Sequence, residues 1–342
     1  MSRQARARQF TTVLLVLLPL CLLAALALGS VSLGLNESLQ AISQLGQQPE
    51  NRSAIIVNQI RLPRALLAGL VGALLGISGA AMQGIFRNPL ADPSLIGVTA
   101  GASLGASLVI AVIGSGISGL TGLTLISVGA FAGGMLAVVL VYRLASSESG
   151  TSVATMLLAG IAITALAGAM SNVLELFSSN EVLRRISLWR MGGLDGADYS
   201  RVAVAAGIGM VVIAVLPRYA TALNAFLLGE SEARYLGIDV ERTKTGIVLM
   251  VAIAVGTSVA LAGTIAFVGL VVPHIIRLLI GPDHRYLLPA SAIAGALLLI
   301  SADIIARTVI APTELPVGIV TACIGVPFFV SLLHRRREFG MQ

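Results

Sequence analysis

Lys244 is the one lysine in the chain, and the residues before it are Glu241-Arg242-Thr243. A nucleotide-binding loop of the form G-x-x-x-x-G-K-[ST] needs its lysine after a glycine turn, because backbone amides in that turn cradle the phosphates. The sequence contains no such loop, so the chain does not hydrolyse nucleotide by that route. Acids within apolar stretches are the next candidates, since ion-coupled transport keeps protonatable groups inside the membrane. Asp303 fits, with Glu175 and Glu314 near the ends of apolar runs. Asp303 also precedes Arg307 by four residues, which suits an ion pair on one helix face, and spacing alone leaves both readings open. Cys21 and Cys323 lie far apart in apolar runs with no clustered ligands, so they read as packing residues and no metal site, cofactor or disulfide framework is expected. His274, directly after Pro273, reads as a packing or hydrogen-bonding residue, with transient iron ligation as the alternative.

The elements that must hold these residues follow from composition. Of 342 residues, 56% are hydrophobic and 11% charged, against about 25% charged in an average soluble domain. That leaves too little polar surface for a soluble fold and predicts an all-α integral membrane protein. The net charge of +6 is scattered between apolar runs and forms no basic stripe, which excludes nucleic acid as a partner. At about 20 residues per crossing, apolar segments place about ten transmembrane helices in a single domain. They fall at 11–33, 63–86, 93–113, 123–141, 152–172, 202–216, 245–262, 265–280, 286–305 and 316–333. The Gly- and Ser-rich stretch from Gly114 to Gly122 is a turn, and a long apolar run is broken near Ala262-Gly263-Thr264.

The first span follows Arg3, Arg6 and Arg8 and imitates a secretory signal at Ala25-Leu26-Ala27, but its length suits an uncleaved helix. An even number of spans puts both termini on one side. The amino-terminal arginines and Arg335, Arg336 and Arg337 assign that side to the cytoplasm of a bacterial inner membrane. The segment from Glu181 to Arg201 reads as a short amphipathic helix on the outer surface with Trp189 at the interface. Small residues at Gly72-xxx-Gly76, Gly97-xxx-Gly101-xxx-Gly105 and Gly129-xxx-Gly133 predict closely packed helices. Two Pro-containing stretches, Asn88-Pro89 to Asp92-Pro93 and Gly269 to Pro282, are weak markers of an inverted repeat.

The longest charged cytoplasmic loop spans 218–244. Within it Leu227-Leu228-Gly229-Glu230-Ser231-Glu232-Ala233-Arg234-Tyr235-Leu236-Gly237-Ile238-Asp239 predicts a short helix, a stop at Gly237 and a second helix capped by Asp239. On these residues alone it is either a solvated loop or the place where another subunit delivers energy.

The sequence resembles the iron-chelate and cobalamin permeases of ABC importers, the FecCD family. The resemblance rests on Arg61-Leu62-Pro63-Arg64, on Gln83-Gly84-Ile85-Phe86-Arg87-Asn88-Pro89-Leu90-Ala91-Asp92-Pro93 and on the loop from Gly229 to Gly237. It continues through Ile265-Ala266-Phe267-Val268-Gly269-Leu270-Val271-Val272-Pro273-His274, Ala302-Asp303-Ile304-Ile305-Ala306-Arg307 and Glu314-Leu315-Pro316. It implies a type II ABC importer permease, paired with a second permease copy as a homodimer, with separate ATPase subunits below and a periplasmic binding protein above. It also implies that Glu230, Ala233, Arg234, Leu236 and Gly237 couple to the ATPase. Arg61, Arg64 and Arg307 would dock the binding protein through exposed guanidinium groups; snorkelling to lipid headgroups is the alternative reading.

The expected function is therefore the membrane subunit of an ATP-driven importer of an iron chelate. Gly281-Pro282-Asp283-His284-Arg285, Met191-Gly192-Gly193-Leu194 and Ala311-Pro312-Thr313-Glu314-Leu315-Pro316 resemble haem-uptake members. That favours haem, then ferric siderophores, then cobalamin. The alternatives are an ion-coupled secondary transporter with Asp303 in a relay, and a non-transporting scaffold or membrane enzyme, for which no catalytic cluster exists. A pathway lined by small apolar residues is expected to release cargo rather than select it.

Overall fold

The computed structural model describes residues 3–31, 33–45, 51–113, 119–148 and 150–338. Residues 114–118, which begin the turn expected at Gly114 to Gly122, lie outside the described residues. Helix α1 (Arg3–Ala27) is followed by short α2 (Leu35–Ser43) and α3 (Arg52–Ile55), and a π-helical stretch at Ile56–Arg61 runs into α4 (Leu62–Ile85). A 3-10 turn at Pro93–Ile96 introduces α5 (Val98–Ile113), then come α6 (Gly119–Ala145), a two-residue hairpin of β1 (Ser146–Ser147) and β2 (Gly150–Thr151), and α7 (Val153–Leu176). Next are α8 (Asn180–Arg190), α9 (Tyr199–Val215), α10 (Ala220–Phe226), α11 (Glu230–Tyr235) and α12 (Val240–Ala262). The chain closes with α13 (Val268–Ile280), α14 (His284–Thr308) and α15 (Val317–Glu338).

Seven helical stretches among the described residues are long and apolar enough to cross a membrane, and three shorter apolar helices, Val98–Ile113, Val268–Ile280 and Val317–Ser331, accompany them. In the most apolar window of the rod Arg52–Ile85, 78% of residues are buried, against 22% in α7 and 17% in α1. The α4 rod is therefore the core, and α1 and α7 present apolar side chains such as Leu15, Leu158 and Leu166 outward, where only lipid or another chain suits them.

The core helices approach at backbone distance. A Cβ on Gly72 would overlap the Gly295 carbonyl, and one on Gly76 the Ser291 carbonyl, so α4 and α14 run antiparallel with no side chain between them at these points. Gly101 and Gly105 of α5 meet Gly133 and Gly129 of α6 in the same way.

Antiparallel packing gives the bundle two distinct ends. One carries α10, α11 and the hairpin. The start of α1 is there too, because Gln4 and Ala7 share a cavity with Asn224 and Leu227. At the opposite end lie the start of α4, the end of α14 and helix α8. The break expected near Ala262-Gly263-Thr264 is present: α12 stops at Ala262, Gly263 has φ 67° and Phe267 φ 69°, after which α13 begins. The surface helix is shorter than expected. It ends at Arg190, and Arg201 lies in α9, where its guanidinium donates to the Leu261 carbonyl (3.0 Å). The Gly193 amide donates to the Ala262 carbonyl (2.9 Å), which pulls the chain inward after Arg190 and packs Trp189 partly against the core.

Candidate functional site

Helix α11 is built by two glycines and one alanine. Gly229 (φ 137°) lets the chain turn into it, and Gly237 (φ 83°) turns the chain out. At the exit the Gly237 amide donates to the Arg234 carbonyl (2.9 Å) and the Ile238 amide to the Ala233 carbonyl (3.1 Å), which closes the carbonyls of the last turn. Ala233 is wholly buried and seats the helix on its own chain. Asp239 then caps α12, its Oδ1 accepting from the Arg242 amide (3.1 Å). Of the residues expected to couple, Leu236 is 65% exposed and Arg234 is exposed within 3.8 Å of Glu241, while Glu230 turns inward to the Lys244 ammonium at 2.7 Å. Tyr235, 91% exposed, and Leu228 also project from this end. An aromatic and two leucines displayed beside charges at a bundle end suit a protein partner. Sequence reasoning overlooked Tyr235, Leu228 and the Lys244 pairing; the i,i+3 spacing of Glu241 and Lys244 was the available signal for the last.

The arginines require a correction. Arg61, Arg64 and Arg307 are at the end opposite α11, but they are only 4%, 6% and 4% exposed. They neither reach into water nor snorkel outward. Arg61 donates to the carbonyls of Leu26 (2.7 Å), Ala27 (2.8 Å) and Val31, and Arg307 to those of Ala25 (3.2 Å) and Leu28 (3.3 Å). These carbonyls cluster at the C-terminal end of α1, where intrahelical donors run out and a positive charge complements the helix dipole. Arg64 spans two carboxylates, Asp303 at 2.8 Å and Glu314 at 2.6 Å, and Asp303 also pairs with Arg307 at 3.0 Å. The physical reason for the inward turn is that acceptors from the same chain lie within reach, and a buried guanidinium without them is very costly. Among these five ionisable groups Glu314 is the most exposed.

Asp303 is fully buried between two guanidinium groups, the ion-pair reading of its spacing. Glu175 pairs with Arg190 at 2.8 Å. Neither acid is placed as a relay, so the ion-coupled alternative is not favoured. His274 donates from Nδ1 to the Pro89 carbonyl (3.2 Å) and stands edge-on to Phe328, joining α13 to the loop after α4 and to α15.

A cavity of about 880 Å³ opens between α5, α7, α12 and the chain around Phe267. Its apolar walls, among them Leu75, Val255 and Phe267, are interrupted by the hydroxyls of Ser94, Thr99, Ser103, Thr164 and Thr264. Asp92 also lines it, and burial pushes its carboxyl above the usual range, against the hydrogen bond it accepts from the Ser94 amide (2.8 Å).

Residues 15–335 match the FecCD transport family. The chain belongs to that family. It is 44% identical over 319 residues to the hemin transport system permease protein HmuU of Yersinia pestis, covering 93% of this chain and 95% of that one. It is 40% identical over 344 residues to the iron(3+)-hydroxamate import permease FhuB of Bacillus subtilis, covering 98% of this chain and 86% of that one. Identity is again 40%, over 345 residues, to the vitamin B12 import permease BtuC of Klebsiella pneumoniae, with 99% and 97% covered. A solved inward-facing ABC transporter of the metal-chelate type superposes with a TM-score of 0.84 at 29% identity, over 96% of this chain and 99% of that one. The FecCD chain is accordingly a permease subunit of an ABC importer and not an enzyme; the ATPase is a separate subunit, and a binding protein delivers the cargo.

Proposed function

We propose that this permease carries an iron chelate, haem ahead of ferric siderophores and cobalamin, across a bacterial inner membrane. In this reading it works as a homodimer of ten-span subunits, each with an inverted repeat and both termini in the cytoplasm. Helix α11 faces the ATPase and the opposite end faces the binding protein. The observation that carries the haem preference is the 44% identity to the HmuU hemin permease over nearly the whole of both chains. The exposed Tyr235, Leu236 and Leu228 beside α11 support the orientation. Docking of the binding protein involves Arg61, Arg64 and Arg307 from beneath the surface, by fixing α1 and Glu314, instead of by presenting guanidinium groups to water.

The test is uptake into vesicles that hold the permease with its ATPase subunits and binding protein, offered haemin, a ferric hydroxamate and cobalamin in turn. ATP-dependent haemin uptake exceeding the other two is expected. A clear preference for cobalamin would overturn the substrate, and uptake driven by an ion gradient without the ATPase would overturn the energy source.

A further inference from the structure

Lys244 is needed by none of the features described so far except as the partner of Glu230, yet its side chain is the most elaborately held cation at the α11 end. It is 1% exposed. Its ammonium donates to the Thr151 carbonyl of β2 (2.7 Å), to Glu230 of α11 (2.7 Å) and to Glu241 of its own helix (3.4 Å). An ammonium has three donors, and here each has an acceptor from a different element. Glu241 accepts in turn from the Thr151 amide (2.9 Å), and the Thr151 hydroxyl lies 3.2 Å from the Tyr142 hydroxyl near the end of α6. We infer that Lys244 is a positioning residue, the joint through which displacement of α11 is passed to α7 and α12, two of the helices that wall the cavity. The inference rests on the reading of α11 as the helix moved by the ATPase.

Two observations carry it. First, both elements pinned to α11 through Lys244 run on to the cavity. Helix α12 reaches it at Val255 and Val259, and α7, which starts at Val153 just after Thr151, reaches it at Gly160, Thr164 and Ser171. Val255 is 11 residues beyond Lys244 on one unbroken helix, about 16 Å at 1.5 Å per residue, so a shift at one end is delivered as a shift at the other. Second, α11 has little stability of its own. A helix of six residues is far below the length that holds in isolation, and its fastenings are the buried Ala233, the ion pair to Lys244 and the weaker approach of Arg234 to Glu241. If α11 moved alone it would take Glu230, the nearer of the two carboxylates, from a buried ammonium and leave it only Glu241 at 3.4 Å and the Thr151 carbonyl, which is unfavourable. The lower-energy course is for α12 and the hairpin to move with it.

The experiment uses the full chain assembled with its ATPase and binding protein in vesicles, with haemin as probe, and reads haemin moved per ATP hydrolysed. Lys244→Met fills the same space without a charge. It should assemble with the ATPase and lower that ratio by about tenfold, within the usual range of coupling between sites. Lys244→Arg, which keeps charge and donors, should retain most of the ratio, and the exchange Glu230→Lys with Lys244→Glu should recover part of it. A wild-type ratio in Lys244→Met would overturn the inference. So would loss of assembly in Lys244→Met together with a wild-type ratio in Glu230→Gln, since the lysine would then only support the fold. If the unmodified protein shows no ATP-driven haemin uptake while an added ferric hydroxamate or cobalamin arm does, the joint is tested on that cargo; if none of the three moves, the proposed function, and with it the reading of α11, falls.

Discussion

At the scale of residues, Asp303 decides how the arginine cluster behaves. It is buried between Arg64 and Arg307, and these guanidinium groups with Arg61 exceed the nearby carboxylates by one charge, which the α1 carbonyls help to absorb. Removing one partner of a buried pair typically costs about 3–5 kcal/mol because the other is left uncompensated. Asp303→Asn should therefore lower the melting temperature of the detergent-purified permease with no binding protein present. Arg64→Glu should do the same, and Glu314→Arg in the same chain should restore part of the loss. An Arg64→Glu variant that melts like wild type and fails only in binding-protein capture would return the arginine to the surface role. The pairing of Asp303 with Arg307 was legible from i,i+4 spacing. The clasp on α1 was not, because a backbone carbonyl that accepts a distant guanidinium leaves no mark in the residue types around it.

At the scale of elements, close packing and turns govern what can be changed. Both sides of the α5–α6 contact carry the small-xxx-small pattern as glycine pairs and were readable; α4 showed it at Gly72 and Gly76, but its partner surface on α14 carries it as Ser291 and Gly295, a less distinctive pair, and was missed. Gly295→Val should be severely destabilising, at about 3 kcal/mol or more given what overpacking costs, because its Cβ would meet the Gly72 carbonyl. Gly207→Ala on α9, where a Cβ would meet nothing, should be neutral or gain about 0.5–1 kcal/mol from helix propensity. Thermal unfolding of the two variants side by side checks both, and equal losses would mean that the α4–α14 contact is looser than described. Gly237 is limited by conformation instead: it has φ 83° and its amide donates to Arg234. Proline there fixes φ near −65° and removes the donor, so Gly237→Pro should let ATP be hydrolysed with little import, while α12 and the core still fold. Normal import by that variant would remove the turn from the coupling path.

At the scale of the whole molecule, hydropathy located the seven helical stretches among the described residues that are long and apolar enough to cross a membrane, because a lipid-facing helix must be apolar along its length, whereas the cavity went unread. Its hydroxyls come from the Pro93–Ile96 turn, α5, α7 and the chain after Gly263, four places whose convergence depends on how helices cross. Orientation, by contrast, rests on charge placement and on the side chains exposed beside α11, and is open to direct test. After Cys21 and Cys323 are replaced, single cysteines substituted at Ser231 on α11 and at Ser147 on the hairpin should react with a membrane-impermeant maleimide only when the cytoplasmic face is open to it. A cysteine at Ser179, the exposed cap of α8 at the opposite end, should react from outside intact cells. All three positions are exposed, so silence at any of them from both sides would point to coverage by a partner and not to burial in this chain. Ser231 and Ser147 must behave alike, since the Lys244 pairings fix α11 and the hairpin at one end of the bundle. Labelling of Ser231 from outside with Ser179 protected would invert the assignment, place α11 away from any cytoplasmic ATPase, and remove the physical basis for energy entering the permease there.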